Sequence, residues 1–86
     1  MYDYNYETAQ RRYGVNWMTM SDDESKTVAT FSTEEAMMAW LRGAASSARD
    51  DGLTVSYTIE TSFSIADDSG VQAIVTGYPY YEEQEY

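Results

Sequence analysis

The chain has 86 residues, 15 acidic and five basic, for a net charge of −10, and it contains neither histidine nor cysteine. That composition removes the usual general base near neutral pH, the thiolate nucleophile and the nitrogen and sulfur ligands of zinc. It also sets up a negative field that repels nucleic acid and draws in basic protein surfaces. A length of 86 residues suits one domain spanning 1–86 with a single core. A hydrophobic content of 43%, with two tryptophans and nine tyrosines, is too apolar for an acidic disordered protein.

The start of the sequence, Met1-Tyr2-Asp3-Tyr4, has neither the basic nor the apolar stretch of a secretory leader. The longest apolar run, Ala36 to Leu41, falls far short of the roughly 20 residues of a membrane span. A cytoplasmic protein without membrane association is expected.

In sequence order, Tyr2, Tyr4 and Tyr6 alternate with polar residues as a strand would, whereas Glu7 to Tyr13 fits a strand or a helical turn equally. Val15–Met20 and Thr27–Phe31 are β-prone runs joined by the polar segment from Ser21 to Ser25, which reads as a hairpin. Ser32 stands three residues before Glu35 in the spacing of a capping box, so a helix is expected to start there. Met37, Trp40, Leu41, Ala44 and Ala48 fall on one face of that helix, and Gly52 supplies its stop. Leu53, Val55, Tyr57, Ile59, Thr61, Phe63 and Ile65 then alternate with polar residues as one long strand, with Tyr57 expected in the core. Asp67-Asp68-Ser69-Gly70 has turn composition, and Val71–Tyr78 reads as the returning strand. Residues 79–86 read as a tail, free to move until it meets a partner.

These elements predict an α+β fold of order β-β-α-β-β. An antiparallel sheet of about four strands is covered on one face by the helix, with a further N-terminal element left open. The uncovered face would be rich in Ser, Thr and Tyr.

The acids cluster at element ends: Asp22, Asp23 and Glu24; Glu34 and Glu35; Asp50 and Asp51; Asp67 and Asp68; Glu82, Glu83 and Glu85. With four strands, the first hairpin turn, the end of the helix and the carboxyl terminus of the protein share one end, while Asp67 and Asp68 sit at the other with Glu34 and Glu35. Loop carboxylates ordinarily keep a small domain soluble, but a net charge of about 2–8 suffices for that. Asp50 and Asp51 also oppose the helix dipole. Neither Asp22-Asp23-Glu24 nor Asp67-Asp68-Ser69-Gly70 has the alternating oxygen ligands of a calcium loop. There is no P-loop, nucleophile elbow or dinucleotide fingerprint, so no enzymatic activity, metal or cofactor is expected.

Tyrosine buries large area at interfaces at low entropic cost, which makes Tyr80 and Tyr81 candidate anchors beside Glu82 and Glu83. Base stacking needs a positive groove, and Arg11-Arg12 is the only basic pair, so direct nucleic-acid binding is disfavoured.

A short single domain with strong acidity, loop-end carboxylates such as Asp22-Asp23-Glu24 and Asp67-Asp68, and no catalytic motif resembles small phage-encoded inhibitors of bacterial defence, including anti-CRISPR proteins and DNA mimics. The acidic inhibitor of uracil-DNA glycosylase is similar in size and charge, but its Glu-Glu-Ser-Ile strand has no counterpart here. The resemblance implies binding to a host nuclease or CRISPR effector complex and occlusion of its nucleic-acid site. The partner-binding residues expected on this reading are Asp22, Asp23, Glu24, Asp50, Asp51, Asp67, Asp68, Tyr80, Tyr81, Glu82 and Glu83. The alternative is a small structural or assembly protein that forms a homodimer, or binds a partner, through its tyrosine-rich sheet face.

Overall fold

A computed structural model of the protein describes residues 9–21 and 23–83. Five strands and one helix follow in the order β1 (Ala9–Thr19), β2 (Glu24–Phe31), α1 (Glu34–Asp50), β3 (Thr54–Ile59), β4 (Ser62–Asp67) and β5 (Gly70–Glu83). The strands form one antiparallel sheet in the order β2-β1-β5-β4-β3. The α+β class and the single covering helix agree with the sequence, but the sheet has five strands where about four were expected.

The extra strand comes from the segment that reads as one run. The backbone reverses at Glu60-Thr61, so Tyr57 pairs with Phe63 and Val55 with Ile65 across a hairpin. An irregularity between Tyr57 and Ile59 sets Ile59 opposite Ser62, and Ile59 is left 59% exposed. Tyr57 is 44% exposed, so it is not the core residue expected. It keeps one aromatic contact, with its ring 5.1 Å from that of Phe63.

The segment from Ala9 to Tyr13, open to either reading, is strand, and all 11 residues of β1 lie opposite β5. Residues 79–83, expected as tail, continue β5. Tyr2, Tyr4, Tyr6, Glu85 and Tyr86 lie outside the described residues.

The helix starts one residue later than the capping box implies. Thr33 is the N-cap, and its hydroxyl accepts from the Ala36 amide at 3.1 Å. Its end follows the expectation: Gly52 adopts φ +85° and donates to the Arg49 carbonyl, while the Leu53 amide donates to Ala48. The Gly52 bond satisfies a carbonyl that the helix end would otherwise leave free, and the Ala48 carbonyl accepts from the Asp51 amide as well.

Met37, Leu41, Ala45 and Ala48 are buried against Val15, Phe63, Ile65 and Val75. Trp40 and Ala44, expected on the buried stripe, lie at its flank and are only partly buried. Gly77 sits directly under the helix, where a Cβ would come within 2.8 Å of Met37 Sδ and 2.9 Å of Leu41 Cδ1. Its missing side chain sets how closely the helix approaches the sheet.

Gly77→Val should therefore destabilise the fold by about 1–3 kcal/mol through overpacking. Denaturant unfolding that leaves the midpoint unchanged would show that the helix is not seated there. In the same assay Leu41→Ala should cost about 2–5 kcal/mol, and Trp40→Ala less than a fully buried tryptophan would, because Trp40 packs at the edge of the core and stays partly exposed.

Candidate partner-binding surfaces

The Glu60-Thr61 reversal changes which acids share an end of the molecule. β1 finishes at Thr19 opposite Glu24 of β2 and Ala73 of β5, β4 finishes at Asp67 opposite Gly70, and β3 begins at Thr54 opposite Ala66. The helix runs into β3 through Asp51, Gly52 and Leu53. The β1–β2 turn, the end of the helix and the β4–β5 turn therefore converge, bringing Asp23, Glu24, Asp50, Asp51, Asp67 and Asp68 to one pole. Asp22 lies outside the described residues.

From the sequence, Asp67 and Asp68 are expected at the opposite end and the carboxyl terminus of the protein at this one. An added hairpin inverts the direction of everything after it, which exchanges the two. Tyr80, Tyr81, Glu82 and Glu83 consequently lie far from the acidic pole, Glu83 roughly 40 Å along β5 from Gly70 at about 3.4 Å per residue. Glu34, Glu35 and Glu60 share their half of the molecule.

Local geometry explains why acids sit in these turns. Asp23 adopts φ +52°, a left-handed conformation that aspartate tolerates better than most residues. Asp67 Oδ1 accepts from the Ser69 amide at 2.7 Å and from Gln72 Nε2 at 3.0 Å, which fixes the β4–β5 turn. Asp50 and Asp51, by contrast, stand exposed at the negative end of the helix, where they oppose its dipole. Among the described residues no group of three or more carboxylates is placed to hold a metal ion, and no helix is long and apolar enough to cross a membrane.

At the other end, β1 and β5 continue beyond their neighbours as a two-stranded ribbon. Residues 9–12 face only residues 80–83, because β2 ends opposite Tyr13 and β4 begins opposite Thr76. Tyr80 pairs with Arg12 and stands 5.9 Å from the Tyr78 ring, while Tyr81 is 53% exposed opposite Arg11. The Arg11 guanidinium lies 5.4 Å from the Tyr13 ring centre. The ribbon thus sets aromatic groups beside both arginines and glutamates, since Glu82 and Glu83 lie opposite Gln10 and Ala9.

The sheet face away from the helix is rich in Ser, Thr and Tyr, as expected, but many of those groups are engaged with one another. Ser62 and Thr76 hydroxyls meet at 3.0 Å, Thr27 and Tyr78 at 2.8 Å, and Asn16 donates to Ser25. The Tyr78 ring covers Gly14, where a Cβ would fall 2.7 Å from Cζ.

An open groove of about 370 Å³ on the helix flank, lined by Trp17, Trp40, Ala44, Ala48 and Leu53 with Asp51 at its rim, has no counterpart in the sequence reading. Its lining sets two indoles, those of Trp17 and Trp40, beside the small side chains of Ala44 and Ala48. Trp40 is the one signal, since a large ring at the edge of a helical stripe seldom fits wholly beneath it.

Compared with known proteins, the sequence and its fold find no matching family model, curated protein or solved structure.

Replacing Asp50 and Asp51 together by asparagine should raise the thermal unfolding midpoint by a few degrees at low salt, and by less as salt is added. A lowered midpoint, or a gain that persists at high salt, would mean that these carboxylates stabilise the fold by local bonding.

Proposed function

We propose that this protein is a binding inhibitor. It docks its acidic pole on the basic nucleic-acid groove of a host nuclease or CRISPR effector complex and blocks access to that groove. The observation that carries this reading is the convergence of Asp23, Glu24, Asp50, Asp51, Asp67 and Asp68 at one pole of a protein with a net charge of −10. Asp50 and Asp51, at the helix end, oppose the dipole at a cost in stability that a basic partner would offset.

The mode of action is occupancy, with no reaction on the partner, and its residence is the cytoplasm, where such complexes act. The second reading, self-association or partner binding through the sheet face, is favoured by the absence of a covering layer over Tyr78 and Tyr80 among the described residues. It is weakened by the cross-strand bonds that already occupy that face.

The test is expression in bacteria carrying a nucleolytic defence, scored by survival of a targeted plasmid. The parent protein should protect the plasmid, and a variant with Asp23, Asp50, Asp51 and Asp68 changed to asparagine should not, although it folds. A variant with Glu34 and Glu35 changed to glutamine should protect normally. Binding to the target complex should weaken steeply as salt rises. Full protection by the pole variant would overturn the reading.

A further inference from the structure

The sheet has two edges, β2 and β3, and they differ in how they meet solvent. β2 carries Glu24 and Lys26, and a register irregularity opposite Val15 and Asn16 disrupts its ladder. Charges and bulges of this kind are how natural edges discourage another strand from pairing. β3 has no such protection over most of its length. Its six residues, Thr54-Val55-Ser56-Tyr57-Thr58-Ile59, include no charge, proline or glycine. Its one irregularity falls after Tyr57, leaving Thr54–Tyr57 as a regular ladder. A strand paired on one side only presents alternate N–H and C=O groups outward. Tyr57 and Ile59 add exposed apolar surface at the same edge.

The charge around this edge selects its occupant. Asp50 and Asp51 precede β3 and Glu60 follows it, so an uncharged strand is bracketed by acids at both ends. A second copy pairing antiparallel about the middle of β3 would bring its own Glu60 toward Asp51, twice over, between two molecules that each carry a charge of −10. A strand with a cation at each end meets the same brackets with attraction.

We infer that β3 is a strand-addition site for an extended segment of a basic partner protein, uncharged and β-branched or aromatic in its middle, with lysine or arginine at both ends. Main-chain hydrogen bonds to the edge supply the attachment, and the bracketing carboxylates select the basic segment. This rests on the basic partner proposed above and adds the place where that partner's backbone attaches.

The test follows amide signals and amide hydrogen exchange of the isotope-labelled full-length protein by NMR during titration with short synthetic peptides. The first has alternating threonine and valine between terminal lysines. The second has glutamate in place of lysine. The third is the lysine peptide with alternate backbone nitrogens methylated, which keeps its charge but cannot join a sheet. The lysine peptide should slow exchange at the outward-facing amides of residues 54–57, the glutamate peptide should bind at least about tenfold more weakly, and the methylated peptide should lose the protection.

If the lysine peptide leaves β3 unchanged but shifts the amides of Asp23, Asp51 and Asp68, the strand-addition site is wrong while the acidic-pole reading stands. Equal protection of β3 by the glutamate peptide would overturn the basic occupant. Protection of β3 that grows with protein concentration alone would overturn it in favour of a second copy.

Discussion

Everything in this molecule is built on the pairing of β1 with β5. Each of the 11 residues of β1 lies opposite β5, the sheet's centre, and those strands come from opposite ends of the sequence. The core follows from it: Val15 faces Gly77 and Trp17 faces Val75, and the helix settles where Gly77 lets Met37 and Leu41 reach the sheet. Such pairing closes nearly the whole protein into a loop before it is rewarded, which favours slow folding for so small a domain. Because β1 and β5 outrun their neighbours, the same pairing also projects the ribbon bearing Arg11, Arg12, Tyr80 and Tyr81.

A single reversal at Glu60-Thr61 then decides where the charge goes. With it, three turns meet at one end and concentrate their carboxylates; without it, Asp67 and Asp68 would join Glu34 and Glu35. Directed docking would depend on this placement more than on the total charge, since a net charge of −10 spread evenly would attract basic surfaces without directing them. The acidic pole also borders the beginning of β3, so electrostatic docking and strand addition would act on adjoining parts of one face of the partner.

Much of this fold was legible in the sequence because local rules and tertiary packing agree over most of it. The Ser21–Ser25 connection, the stop at Gly52 and the Asp67–Gly70 turn are each marked by residues whose backbone or side-chain chemistry makes the turn. The Glu60-Thr61 turn is not. It carries no glycine, proline, asparagine or aspartate, and the alternation from Leu53 to Ile65 runs through it unbroken. Length was the available signal, since an unbroken strand from Leu53 to Ile65 would be roughly twice the usual five or six residues. Tyr57 and Trp40 were misplaced for a related reason: periodicity assigns a face, but only packing decides whether the middle or the rim of that face is covered. The start of β1 was ambiguous because its partner, the end of β5, is too distant in sequence for any local pattern to register.

Whether the acids converge can be measured directly. The protein has no cysteine, so pairs introduced by substitution can be spin-labelled without background. Distances by pulsed electron resonance from Ser69→Cys to Asp51→Cys, and separately to Glu34→Cys, compare the two ends of a helix roughly 25 Å long. If the hairpin at Glu60-Thr61 forms, the label at position 69 lies near position 51 and far from position 34. The reverse order would mean one uninterrupted strand from Leu53 to Ile65, and the acidic pole would not exist.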